Sequence, residues 1–273
     1  RKPTPSELSE QFPLTMKVLD ALNIVSLELE NYEADDIIGT FAKHAPEDVE
    51  VHIITGDRDE LQLIDKRTKV YYTKRGITDV QIFDEAEFAA NYEGLAPKQL
   101  IELKGLMGDT SDNIPGVPGV GQKTAMKLIL EYGDVETVLE NVANVKGKAL
   151  QAKLMDNKES ALLSKKLATI FTDVPVSLDM QEYELKAVKD EARSLLLDLE
   201  FRNMYERFAA VLGGKVEEEE TADFGLFGEF VEEVVETKNI LATDAEAKVF
   251  FDKLVGNGTP TAFVATIAGD LPN

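Results

Sequence analysis

The segment GDTSDNIPGVPGVGQKTA, Gly108 to Ala125, constrains the fold more than any other stretch of the chain. Apolar residues at helical spacing precede it (Leu100, Leu103, Met107), while glycine, proline and aspartate fill it. Such residues cannot continue a helix but do permit a tight reversal. The pattern therefore predicts helix, hairpin, helix. Gly116, Gly119 and Gly121 would let backbone come close to a phosphate, and the first amides of the helix carrying Lys123, Thr124 and Lys127 make an anion site. Taken alone, an ordinary interhelical turn explains the segment equally well. The GxxxxGK[ST] spacing of a nucleotide-binding loop is absent, which argues against ATP.

Upstream the pattern is α/β. Thr4 and Glu7 form a capping-box arrangement before Leu14, Val18, Leu19 and Leu22, with Pro13 set to break or kink that helix. Residues 34–43 read as a helix with Ile37, Ile38 and Phe41 inward, and VEVHIIT, Val49 to Thr55, reads as a buried strand ending at Gly56. Short strands follow at Val70–Thr73 and Val80–Phe83, then a helix capped by Asp84 and Glu87. Helical patterns continue at 135–139, 149–155, 161–168 and 190–199.

Three acidic clusters punctuate this framework: Glu33-Ala34-Asp35-Asp36, Asp57-Arg58-Asp59 and Asp109-Thr110-Ser111-Asp112. The first opens a helix, where negative charge is favoured in any case. The second follows a strand, the end at which α/β folds bind ligands. The third follows a helix C-terminus, whose dipole repels anions, so a cation is needed there. Carboxylates about 5 Å apart repel by roughly 3 kcal/mol at an effective dielectric near 20, so converging clusters require positive charge. All-oxygen ligation favours magnesium or manganese over zinc, and hard divalent ions suit phosphoryl chemistry. His44 reads as a surface residue and His52 as a strand residue, neither catalytic.

The formal charge of −22 is wrong for a nucleic-acid binder only if it is evenly spread. It is not. Residues 97–170 hold ten lysines against nine acids, and residues 215–253 four lysines against twelve acids. The chain has no cysteine, no long apolar run and no leader-like start, which predicts a cytoplasmic protein without disulfides or membrane contact.

YEADD, ITGDRDELQLI and LMGDTSDNIPGVPGVGQKTA together closely resemble the 5′ nuclease domain carried by bacterial DNA polymerase I, over Arg1 to about Leu212. The resemblance implies a PIN-like α/β core with a helix-hairpin-helix subdomain. Glu33, Asp35 and Asp36 would belong mainly to a first metal site, and Asp57, Asp59, Asp109 and Asp112 to a second. Asp35, Asp36, Asp57 and Asp109 are the implied catalytic residues. Two magnesium or manganese ions, a potassium ion at the hairpin, and duplex DNA held by Gly116 to Lys127 are implied as well. Substrates would be 5′ flaps, nicks and RNA primers on DNA, with a polymerase domain continuing the chain. The noncatalytic alternative is a DNA-structure-binding module.

The expected organisation is an α/β part at 1–96, a helical DNA-binding part at 97–212, an acidic linker at 213–236, and at 237–273 the start of a degenerate 3′ exonuclease-like domain. In that last part Val264 and Thr266 stand where active versions carry an acidic pair. The resemblance begins after the family's N-terminal segment, which supplies two more metal-binding aspartates. The resemblance therefore implies a core lacking its first strand, with Ile53 and Ile54 short of cover, and weak cleavage by this stretch alone.

Overall fold

The computed structural model describes residues 5–75, 79–213 and 261–265. The N-terminal half contains α1 (Ser6–Ser9), α2 (Phe12–Ala21), α3 (Ala34–His44), β1 (Glu50–Thr55), β2 (Thr68–Arg75), β3 (Asp79–Phe83) and α4 (Glu85–Asn91). Then come α5 (Leu100–Met107), α6 (Gln122–Tyr132), α7 (Val135–Glu140), α8 (Lys148–Asp156) and α9 (Lys158–Ala168). The chain continues through α10 (Ala192–Asp198), α11 (Met204–Leu212) and β4 (Thr261–Ala265). Thr4, most of the expected acidic linker and Thr266 lie outside the described residues. No described helix is long and apolar enough to cross a membrane.

Contacts divide the described residues into two units, one holding residues from 29 to 178 together with 261–265, the other residues 5–28 with 179–213. The first unit holds a sheet of order β3-β2-β1-β4, in which β1 runs parallel to both β2 and β4 while β3 is antiparallel to β2. Val51 and Ile53 of β1 are buried, as alternation on a covered face requires. One apolar cluster joins Ile38, Ile53, Phe88, Leu103, Leu106, Val120, Ile129 and Leu154. It runs without interruption across the boundary expected at residue 96. The hairpin and the acidic sheet end are thus fixed to one core.

Thr261–Ala265 is a strand whose backbone pairs with β1, from Glu50 opposite Thr261 to Ile54 opposite Ala265. An unpaired strand edge is a row of free N–H and C=O groups and recruits whatever strand is available. Of the two residues expected to lack cover, Ile53 is fully buried and Ile54 half-buried.

In the second unit α2 packs with α10 and α11 around Leu22, Val188, Ala192, Leu196, Tyr205 and Ala209. Pro13 does break the first helical stretch, and it does so by starting α2, where its missing N–H costs nothing. Helix α11 was not anticipated, although Tyr205 and Ala209 are buried four residues apart. His44 and His52 fall as expected: His44 sits at the surface against Asp173, and buried His52 lies within 3.0 Å of the Tyr71 hydroxyl.

Candidate active site

The site is built from the start of α3, the turn after β1, and the two arms of the hairpin. Strand β1 ends at Thr55, whose hydroxyl receives the Asp57 amide at 2.9 Å, and the Asp57 carboxylate in turn receives the Asp59 amide at 3.0 Å. These bonds turn the chain into a short 3₁₀ segment, Asp59–Leu63, and project both aspartates from the sheet end. Helix α5 then brings up Lys104 and, past Gly108, Asp109.

Asp59, Asp109 and Asp112 converge, each with a carboxylate oxygen within 4.8 Å of the others. Three carboxylates and no nitrogen or sulfur donor suit a hard divalent cation such as magnesium or manganese. Asp57, expected in the same group, is outside this trio. Its charge acts on Asp59 and also on Asp35, which burial, and then Asp57, Glu33, Asp59 and Asp36, raise to about 6. In the first acidic cluster Asp36 is engaged structurally. One of its oxygens accepts from the Glu33 amide at 3.2 Å, closing the capping box of α3, and the other accepts from the Phe171 amide at 2.9 Å.

Two residues of the site were not singled out in the sequence. Lys104, 5% exposed, pairs with Asp59 and reaches Asp109 Oδ2 at 2.7 Å. Burial works against its charge, but hydrogen bonds to Asp109 and Asp59 overcome this and raise its pKa. Burial also raises Asp59, against the pull of Lys104. Asp109 goes the other way: burial opposes ionisation, but bonds from Lys104 and Ser111 hold it at about 2. The cation that the third cluster demanded is therefore present in the protein itself. A lysine inside the apolar run IELKGLM was the available signal.

The second is Glu60, which is fully buried. Its Oε1 accepts from the Thr55 hydroxyl at 3.0 Å, while Oε2 has no hydrogen-bond partner. Burial, with the nearby Asp35 charge, raises its pKa from 4.5 to about 8. The folded chain thus keeps a proton that the unfolded chain gives up. The contribution of Glu60 to stability is complete below about pH 4.5 and is lost as pH rises through about 8. In chelator, Glu60→Gln should gain melting temperature relative to the parent on going from about pH 5 to about pH 9. Calorimetric scans at both pH values check this, and a pH-independent offset would contradict it.

The hairpin closes with paired bonds between Asp109 and Ile114, and with the Val117 amide on the Leu106 carbonyl at 2.8 Å. Helix α9 clamps it, since Ser164 Oγ accepts from the Gly116 amide at 2.8 Å and Ser160 Oγ donates to the Gly116 carbonyl at 2.7 Å. Gly116 is consequently buried and faces protein, whereas the sequence placed it toward phosphate. Gly119 is exposed beside Lys153, whose Nζ donates to its carbonyl at 3.2 Å. Gly121 opens α6 with no heavy atom near the position of a Cβ, and Lys123 and Lys127 are exposed one turn apart. A cleft of about 330 Å³ joins the two halves of the site, lined by Asp57, Asp59, Tyr92, Lys104, Asp109 and Gln122.

Known proteins resemble this chain in sequence and in fold. Residues 1–93 match the 5′-3′ exonuclease N-terminal resolvase-like domain, and residues 95–191 match the 5′-3′ exonuclease C-terminal SAM fold. The chain belongs to the 5′-3′ exonuclease family of bacterial DNA polymerase I. DNA polymerase I of Bacillus subtilis (strain 168) is 48% identical over 209 residues, which is 76% of this chain and 24% of that protein. The Bacillus caldotenax enzyme is 42% identical over 254 residues, 92% of this chain and 29% of the relative. This 5′-3′ exonuclease chain therefore spans about a quarter of the curated relatives it matches.

Among solved structures, the phage T5 D15 protein co-crystallised with metal ions aligns with a TM-score of 0.53 at 22% identity, covering 77% of this chain and 74% of that one. The catalytic core of Rad2 in complex with DNA substrate aligns with a TM-score of 0.52 at 17% identity, covering 78% and 71%. Both likenesses concern the α/β 5′ nuclease fold.

Proposed function

We propose that this chain is the phosphodiester-hydrolysing part of a longer DNA polymerase I, cutting at 5′ flaps and nicks and removing RNA primers from DNA in the cytoplasm. The observation that carries this reading is the convergence of Asp59, Asp109 and Asp112 beside a helix N-terminus across one cleft. Asp59, Asp109 and Asp112 would hold one divalent ion. Asp35, with Asp57, Glu33 and Asp36, would contribute to a second.

When bound, such ions activate water and stabilise the leaving oxygen. The protein supplies the rest. The bonds from Thr55 to Asp57 and from Asp57 to Asp59 hold the carboxylates forward. The amides at the start of α6, with Lys123, Thr124 and Lys127, would bind backbone phosphates, and a potassium ion would sit at the hairpin. The clamp from Ser160 and Ser164 fixes the distance from that binding surface to the carboxylates.

Magnesium-dependent cleavage of a 5′-flap duplex, with a blunt duplex as control, tests the reading; absence of cleavage in the full-length polypeptide would defeat it. One observation favours the alternative of a DNA-structure-binding module without cleavage: Lys104 already neutralises part of the carboxylate charge. Tight flap binding without hydrolysis would support that alternative.

Replacing Lys123 and Lys127 together with alanine should weaken duplex binding equally at all sequences. It should also flatten the dependence on salt by about 2 in log–log slope. Fluorescence anisotropy across a salt series measures both effects, and a sequence-dependent loss would count against phosphate contact.

A further inference from the structure

The residue that the proposed function leaves without a task is Lys104. Its ammonium takes an oxygen from each of two carboxylates of the converging trio, Asp59 and Asp109, and its side chain is almost wholly buried. The same carboxylates are the ones that would hold a divalent ion. A dication and an ammonium compete for those carboxylates, because unit charges about 4 Å apart repel by about 4 kcal/mol at an effective dielectric near 20 and a doubly charged ion doubles the effect. Asp109 has little to spare, since its other oxygen already accepts from the Ser111 amide at 2.9 Å and from the Ser111 hydroxyl.

We propose that Lys104 is a resident counter-ion of this carboxylate cluster, holding Asp59 and Asp109 together in the metal-free protein and yielding to a divalent cation by displacement. The inference rests on the reading of Asp59, Asp109 and Asp112 as a divalent site. Lys104 is then a positioning residue that sets how tightly the ion binds. Three carboxylates and one ammonium leave a smaller net charge than three carboxylates alone, so the cluster survives folding without metal. The same compensation weakens its hold on the ion, because binding must first break two charged hydrogen bonds. The lysine lines the cleft next to the trio, so the displaced ammonium remains beside the place where a phosphate would enter.

The test is manganese binding without DNA, followed by calorimetry or by electron paramagnetic resonance, on the parent chain and on Lys104→Met. The variant keeps length and apolar contacts but removes the charge. It should bind manganese at least about tenfold more tightly, melt at lower temperature in chelator, and recover when manganese is added. Equal or weaker manganese binding by Lys104→Met would overturn the proposal and leave the metal site standing. No manganese binding by either protein would remove the metal site, and the proposal with it.

A second measurement covers the case in which the variant does not fold. In ¹⁵N-lysine spectra of the parent chain, the Lys104 ammonium should be protected from exchange without metal and lose that protection as magnesium saturates the site. Unchanged protection at saturating magnesium would overturn displacement directly.

Discussion

Replacing Asp109 and Asp112 together with asparagine is expected to slow magnesium-dependent cleavage of a 5′-flap substrate by about 10³-fold or more. Asparagine keeps the size and one oxygen of each side chain but removes the charge that would hold the ion. A bound divalent ion contributes several kcal/mol to phosphoryl transfer, and each 1.36 kcal/mol is a factor of ten in rate. Flap affinity in chelator should change by no more than about threefold, since the α6 amides, Lys123 and Lys127 that would meet the phosphates are untouched. Asp134→Asn is the matched control. Asp134 caps α7 by accepting from the Thr137 amide at 2.7 Å, a role that asparagine also fills, so cleavage should persist. Single-turnover rates on one substrate separate the two, and equal rates for the double variant and the parent would place the metal elsewhere.

The second large effect falls on the hairpin. Gly116→Ala should destabilise the chain by about 3 kcal/mol or more and abolish specific flap binding. Gly116 has a φ of +60°, and a Cβ there would lie 2.2 Å from the Gly108 nitrogen and 2.5 Å from the Met107 carbonyl carbon. Both obstacles are backbone at the end of α5, so neither can swing aside. Relief would require breaking the bonds from Gly116 to Ser160 and Ser164. Gly133→Ala provides the comparison, since its φ is +93° but nothing lies within 4 Å of its Cβ position. Only the backbone penalty of about 1–2 kcal/mol applies there. Urea denaturation of both variants decides the matter, and similar losses would show that the hairpin adjusts more easily than this packing implies.

These two sites also show what the sequence could and could not disclose. Local chemistry was legible. The glycine and proline pattern of residues 108–125 set out a helix, hairpin and helix, and the β-branched run before Gly56 set out a strand with aspartates at its end. The need for a cation at the third acidic cluster followed from the helix dipole alone. Pairings distant in sequence were not legible. Lys104 meets Asp59 across 45 positions, and Gly116 meets Ser164 across 48, and no periodicity encodes either meeting.

Gly116 illustrates the consequence. Its composition signal, a glycine in a tight turn, is the same whether the missing Cβ makes room for a phosphate or for the protein's own backbone. Only the packing of α9 on the hairpin distinguishes them. Asp57 is similar: the resemblance implied one metal group with Asp59, whereas of the two only Asp59 joins Asp109 and Asp112. The pairing of residues 261–265 with β1 was not legible either, because edge pairing depends on which backbone groups the rest of the sheet leaves open.

The most direct test of the divalent site is anomalous diffraction from crystals of the parent chain soaked in manganese. The expected result is a peak among Asp59, Asp109 and Asp112, about 2.0–2.2 Å from their carboxylate oxygens, with the Lys104 ammonium moved away from Asp59 and Asp109. A map without a peak there, at manganese concentrations that support flap cleavage, and with Lys104 still bridging the two aspartates, would contradict it.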